Sequence, residues 1–356
     1  MMETTIINKR EVLKANWMQL KEIEPGIRIR NAALKLGVTE LDLLLCNLDN
    51  TTVLRNDPRA LLCRIERLGR VMALTRNEYC VHERKGIYLN PELNSPMVGL
   101  FVGEDIDLRF FFSIWKYTVA VTEGFGKQTR WSIQFFSAWG EAIHKIYLTP
   151  DSNMEEYQAL VNEFKGSSDD VVVDTSTKPA KELFKKIDEV DSEAFQKQWL
   201  EMKDPHEFFG MLKKFQVSRT DALRLAPGGG YSVAIQPSAL HEMLINCATK
   251  ECPIMVFVGN AGAIQIHTGK VHSIVMMEQW LNVLDPDFNL HLMHEAIAEV
   301  WIVKKPAEDS FVTSIECFDR DGEMIVQFFG KRKPGIPELE LWRDIVKEIQ
   351  LKYPLN

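Results

Sequence analysis

The feature that most constrains this chain is that it comes round twice. Val38-Thr39-Glu40-Leu41-Asp42 is answered by Val217-Ser218-Arg219-Thr220-Asp221, and Met72-Ala73-Leu74-Thr75-Arg76-Asn77 by Met255-Val256-Phe257-Val258-Gly259-Asn260. Trp115 is answered by Trp301. Ser132-Ile133-Gln134-Phe135-Phe136, with Gly140-Glu141-Ala142-Ile143 after it, is answered by Ser314-Ile315-Glu316-Cys317-Phe318 and Gly322-Glu323-Met324-Ile325. The pairs keep their order at an offset of about 180 residues, far beyond any solenoid period, so this is a duplicated domain and not an array. Each copy reads as helices followed by a multi-stranded antiparallel sheet, an α+β fold in tandem repeat. The expected boundaries are 1–165 for the first repeat, 166–180 for a linker and 181–356 for the second.

Local patterns fill in the first copy. An amphipathic helix over 8–23, with Val12, Trp17, Leu20 and Ile23 on its apolar side, stops at Pro25-Gly26. Helices are expected over 28–36, ended by Gly37, then from the cap at Thr39, and over 59–70. Alternating β-branched and aromatic residues predict strands at 71–76, 79–84, 98–102, 108–112, 117–121, 129–136 and 142–148. Gly166-Ser167-Ser168-Asp169-Asp170 and Thr175-Ser176-Thr177-Lys178-Pro179 read as linker, and a charged helix is expected over 180–190.

Charge and cysteine usage exclude several classes. The net charge of −8 argues against a general nucleic-acid binder or a binder of anionic membranes, while leaving room for a local basic pocket. Six cysteines, at 46, 63, 80, 247, 252 and 317, form no CxxC pair, which reads as a reduced, cytoplasmic protein. The N-terminal sequence lacks a signal pattern and no run is long and apolar enough for membrane insertion. The glycines of Ala226-Pro227-Gly228-Gly229-Gly230-Tyr231 follow no predicted strand, and GxGxxG, GK[ST], GxSxG and HExxH are absent. Redox chemistry here would need an external electron donor.

A few residues carry possible chemistry. Asp204 and Pro205 read as N-cap and first residue of a helix whose stripe is Phe208, Met211, Leu212 and Phe215, with His206 at its mouth and Arg219 ~20 Å along it. A histidine there is either a surface cap or a ligand; the helix N-terminus favours the neutral, metal-binding form. Arg109, in an apolar run, is either paired with Asp105 or Asp107 or presented to a cavity. Lys304-Lys305 and Lys331-Arg332-Lys333 each end a strand; alone they are solvated ends, and with Arg219 they suit two carboxylates. His291 and His294 read as surface or sheet lining, and His267 lies at a strand end. The first copy has Ile27 near the place of His206 and Glu40 at that of Arg219, which suggests that it lost its polar residues and that the second copy holds one ligand site.

Ile106-Asp107-Leu108-Arg109, His206-Glu207-Phe208-Phe209 with Arg219 beyond, Ala298-Glu299-Val300-Trp301 and Gln327-Phe328-Phe329-Gly330-Lys331-Arg332 span both repeats. Together they resemble the cytoplasmic haemin-degrading and haem-trafficking (HemS/ChuS-like) proteins of bacterial haem uptake. The resemblance implies haem as the cofactor, His206 as the iron ligand and Arg109 on the opposite, distal face. It puts Arg219, Lys305 in preference to Lys304, Gln327, Phe329 and Arg332 around the propionate end. Phe329 is a departure, since many members carry tyrosine there, and the phenol donor is lost. The implied activity is cleavage of imported haem with release of iron; the alternative is a carrier delivering haem to a separate haem oxygenase. The implied partners are a haem importer ATPase/permease complex and an oxygenase or reductase.

Overall fold

The computed structural model describes residues 2–125, 128–168, 171, 173–308, 310–332 and 337–355. Asp169, Asp170 and Val172 of the expected linker, and Lys333 of the basic triplet, lie outside the described residues. The first half of the chain gives α1 (Met2–Ile23), α2 (Ile29–Leu36), α3 (Glu40–Leu45), β1 (Thr51–Leu54), α4 (Pro58–Leu62), β2 (Gly69–Arg76), β3 (Cys80–Gly86), β4 (Pro91–Glu92), β5 (Val98–Val102), β6 (Asp107–Phe111), β7 (Trp115–Phe125), β8 (Gln128–Ser137), β9 (Ala142–Ser152) and α5 (Met154–Phe164). The second half gives α6 (Ser192–Glu201), α7 (Glu207–Phe215), α8 (Arg219–Arg224), β10 (Ser232–Ile235), α9 (Ala239–Thr249), β11 (Ile254–Asn260), β12 (Ala263–Gly269), β13 (Ile274–Met277), β14 (Trp280–Leu284), β15 (Phe288–Met293), β16 (Glu299–Ala307), β17 (Ser310–Phe318), β18 (Met324–Gly330) and α10 (Glu340–Lys352). By contact the chain divides into two units, one of 1–75, 84–179 and 260–264, the other of 76–83, 180–259 and 265–356.

The duplication is visible in the pairing. In the first unit the strands run β1-β7-β8-β9-β2, and in the second β10-β16-β17-β18-β11, the same order strand for strand. Each unit also has an antiparallel meander, β4-β5-β6 in the first and β13-β14-β15 in the second. Helix caps repeat as well. Thr39 accepts from Asp42 N and starts α3; Ser218 accepts from Asp221 N and starts α8. Both β8 and β17 slip register at the same point, between Phe135 and Phe136 and between Cys317 and Phe318. Gly140 and Gly322, in the following turns, share the left-handed conformation at φ 82° and 76°, which glycine adopts without strain.

Register also corrects one pairing. Gln134 faces Val119, and its counterpart Glu316 faces Trp301. Trp301 therefore corresponds to Val119. Trp115 shares only its residue type with Trp301; it opens β7, and its indole donates to Gly262 O at 3.0 Å.

Other expectations shift for local reasons. The helix expected over 59–70 ends at Leu62; a single 3₁₀ turn, Ile65–Leu68, follows, and Gly69 at φ 68° turns the chain into β2. No helix forms over 180–190, where only Ile187–Glu189 makes a 3₁₀ turn. That stretch has no stripe to bury, and Leu183 is 95% exposed. Helices α5 and α10 went unread in the sequence beside the strong strand signals. Asn153 caps α5 by accepting from Glu155 N and Glu156 N, and α5 buries Tyr157, Leu160 and Phe164.

In the second unit the sheet has two different faces, as strand alternation requires. Val300, Ile302, Ile315, Cys317, Val326 and Phe328 pack with α9 and α10 in one large core. Gly330 makes room there for Trp342, whose Cγ would lie 2.7 Å from an added Cβ. Val303 and Phe318 belong to a second core built with Phe195 and Trp199 of α6, Phe208 and Met211 of α7 and Ala222 and Leu223 of α8. That core positions the candidate site.

Candidate functional site

Helix α7 starts at Glu207, later than the sequence suggests, and His206 itself is the N-cap residue. Glu207 Oε1 folds back to accept from Lys203 N (3.1 Å) and Asp204 N (2.9 Å), which closes a turn around Pro205 and delays the first helical bond. Asp204 Oδ1 accepts from His206 N at 2.8 Å and from His206 Nδ1 at 2.6 Å. With Nδ1–H donated to a carboxylate, the neutral ring presents Nε2 as its free lone pair. The imidazole is 96% exposed. The His206 backbone N–H holds the Asp204 carboxyl below the usual carboxylate range, with the His206 side chain and the nearby Arg332 charge adding to the effect against slight burial.

The chain then reverses. Gln216 caps α7 in the left-handed conformation at φ 54°, so Arg219 does not continue ~20 Å along one axis. It heads α8 instead and returns over α7, its Cζ 5.2 Å from the Phe208 ring centre. Lys305 Nζ lies 4.6 Å from the same ring. Phe208, 2% exposed, packs edge-on to Trp199 with ring centres 4.9 Å apart. The apolar stripe read from the sequence is therefore the side of α7 that faces this core, with Phe208 and Met211 buried and Leu212 and Phe215 half-buried.

Beneath Phe208 the two cations share a buried carboxylate. Arg219 grips Glu316 with both arms of the fork, Nε to Oε2 at 2.8 Å and Nη2 to Oε1 at 2.9 Å. Lys305 Nζ donates to Oε1 at 2.6 Å and Ser314 Oγ to the same oxygen at 3.0 Å. Burial alone would raise the Glu316 carboxyl, but the Arg219 and Lys305 charges outweigh it and hold it far below its ordinary range. Burial pushes the Lys305 ammonium down to about 8 against the pull of Glu316, and the Arg219 charge adds to the drop. Two cations on one carboxylate leave the cluster with an excess positive charge.

The same face of the sheet carries the remaining candidates. Gln327 pairs across from Glu316, and Phe329 across from Ser314. Both are half-buried, and the Phe329 ring lies 4.9 Å from that of Phe257, also half-buried. This leaves an aromatic floor partly open to solvent next to the buried cation pair. Arg332, half-buried, follows β18 and acts electrostatically on Asp204 and Glu338. Lys304 alternates to the other side of β16; its amide donates to Tyr231 O at 2.7 Å and its carbonyl accepts from Trp199 Nε1 at 3.2 Å.

Arg109 lies in the first unit, on β6, whereas the other candidates all lie in the second. It pairs with Asp107 and donates to Leu108 O at 3.1 Å. Burial raises the Asp107 carboxyl and Arg109 opposes that rise. Of the other histidines, His267 stacks on Phe288 at 3.8 Å, His291 Nδ1 meets Asn282 Oδ1 at 2.7 Å and His294 Nε2 meets Pro237 O at 3.2 Å. His291 ends its run in β15 and His294 opens a 3₁₀ turn, so the pair has no common helical face. Among the described residues no group of three or more His, Cys, Asp or Glu side chains could hold a metal ion, so a metal on His206 would bring its other ligands.

Three residues here have no chemical role in the sequence reading. Asp204 reads as a helix cap, and Phe257 and Glu316 as members of repeat matches. Glu316 left a signal, a charge within the otherwise uncharged run Thr313-Ser314-Ile315-Glu316-Cys317-Phe318.

The first unit corrects the idea that its copy lost the polar residues. By sheet register Gln134 stands for Glu316, Lys145 for Gln327 and Tyr147 for Phe329. Glu40, at the head of α3, stands for Arg219. Lys145 and Glu40 form a buried ion pair. Burial works against the Lys145 charge, and Glu40 more than restores it. The cluster is kept and its charges are rearranged.

The model of the haemin-degrading HemS/ChuX domain matches residues 37–164 and again 216–349, each match opening just before the Thr39 or Ser218 cap. The chain is 35% identical over 337 residues to the hemin transport protein HemS of Yersinia enterocolitica, covering 94% of this chain and 96% of that one. Holo-PhuS, a heme-binding protein from Pseudomonas aeruginosa, superposes with a TM-score of 0.92 at 41% identity, covering 95% of this chain and 98% of its own. ChuS, described as an E. coli heme oxygenase, gives a TM-score of 0.85 at 32% identity, with 95% and 99% covered. With the domain matched in both repeats and relatives alike over nearly their whole length, this chain belongs to the haemin-degrading HemS/ChuX family.

Proposed function

We propose that this chain is a cytoplasmic haem-binding protein that accepts imported haem and opens the macrocycle to release iron. The observation that carries the reading is His206: an exposed imidazole whose Nδ1 is tied to Asp204, leaving Nε2 available to iron. Arg219 and Lys305, with an excess of positive charge over Glu316, attract the propionates. Gln327 and Arg332 add polar contacts at that end, and Phe257 and Phe329 offer a flat apolar surface to the ring. By resemblance Arg109 serves the opposite face of the haem. His206 would hold the iron, and haem so held would supply oxygen chemistry once an external donor provides electrons. Family membership and the names of the relatives support haem as the ligand.

A second reading, a carrier that delivers haem to a separate oxygenase, uses the same residues. The exposure of the His206 ring favours it, because an accessible ligand is readily exchanged. Haemin titrated into the protein, followed by a reductant with catalase present, separates the two. Loss of the Soret band with iron release supports cleavage. Survival of the band, with haem passing to an added oxygenase, supports the carrier. Importer and reductase partners belong to the same proposal.

A further inference from the structure

We propose that Asp204 is a positioning residue that sets the electron-donating strength of His206 toward a bound iron. The inference rests on the haem-binding reading above and goes beyond it. Asp204 Oδ1 takes both the backbone N–H and the ring Nδ1 of His206, at 2.8 and 2.6 Å. The two bonds fix ring and backbone to one oxygen, so the imidazole has a set tautomer and a set direction before any ligand arrives. A carboxylate accepting Nδ1–H gives the ring partial imidazolate character, which strengthens donation from Nε2 and favours ferric over ferrous iron.

The turn does not depend on the Asp204 side chain alone. Glu207 independently caps Lys203 N and Asp204 N, so Asp204 is replaceable without loss of the helix start.

The test uses full-length protein, the Asp204→Asn, Asp204→Ala and Asp204→Glu variants, and haemin as the probe. In the haem-free protein, ¹⁵N NMR of the ring at fixed pH is expected to show the proton on Nδ1 in the parent. It is expected to shift toward Nε2 in Asp204→Ala. With haem bound, Asp204→Ala is expected to move the Fe(III)/Fe(II) midpoint positive and weaken ferric haem binding by about tenfold. Asp204→Asn falls between, and Asp204→Glu restores part of the effect. An unchanged tautomer and midpoint in Asp204→Ala, with His206→Ala abolishing ligation, overturns the role of Asp204 and leaves haem binding by His206 standing. Unchanged haem spectra in His206→Ala overturn both. An unfolded Asp204→Ala, checked by circular dichroism, passes the decision to Asp204→Asn, which keeps an acceptor in place.

Discussion

Glu40 and Arg219 occupy the same place in the two repeats, each the first residue of a short helix after a hydroxyl cap, and they carry opposite charges. Each pairs across to the sheet below, Glu40 with Lys145 of β9 and Arg219 with Glu316 of β17. Duplication kept the architecture and inverted the polarity at the helix head. The cluster in the second copy carries a net positive charge, whereas the Glu40–Lys145 pair of the first is neutral.

Breaking the first-unit pair should therefore cost stability and leave ligand binding alone. Lys145→Met strands a buried Glu40 carboxylate, and a loss of about 3–5 kcal/mol is expected. Denaturant unfolding measures the loss; haemin titration of the folded variant should match the parent.

Glu316→Gln removes the anion between two cations. Arg219 and Lys305 would face each other uncompensated, so about 3–5 kcal/mol of stability should go and the Lys305 ammonium should deprotonate more readily. Glu316→Leu with Lys305→Met is the control: if the double variant is no more stable than Glu316→Gln, the cost does not come from unpaired charge.

The caps offer a smaller, matched comparison. Thr39→Ala and Ser218→Ala should each cost about 1 kcal/mol. Only Ser218→Ala should also weaken haemin binding, because it loosens the turn that delivers Arg219. Equal haemin affinity for the two variants would contradict the asymmetry.

The pH dependence has a definite sign. His144 is buried between Thr75 Oγ1, 2.8 Å from Nδ1, and Tyr88 OH, 2.6 Å from Nε2. Burial lowers its pKa to about 3. An unfolded histidine titrates near ~6.5, so between these values the unfolded chain binds the extra proton. The stabilisation is complete above ~6.5 and is lost as pH falls, at up to about 1.4 kcal/mol per unit. Replacing His144 with glutamine should flatten that slope in urea unfolding between pH 4 and pH 7.

The fold was legible in the sequence wherever a pattern repeated or alternated. The caps at Thr39 and Ser218 and strands such as Val98–Val102 follow from local chemistry. Trp115 misled because a lone residue type carries no register, and the helix over 180–190 because propensity without a face to bury does not hold a helix. Within the site, His206 and Arg219 stood out, but the turn at Gln216 that folds Arg219 back onto Phe208 did not. Asp204 and Glu316 act through partners remote in sequence or through side-chain direction, which spacing does not reveal.

The most direct measurement is a haemin titration of His206→Ala beside the parent, followed in the Soret region. The ring is 96% exposed, so the substitution should leave unfolding unchanged and act on the ligand alone. A changed spectrum and affinity lower by about two orders of magnitude, some 3 kcal/mol, are predicted. Haemin bound by the variant with the parent's spectrum and affinity would contradict the account.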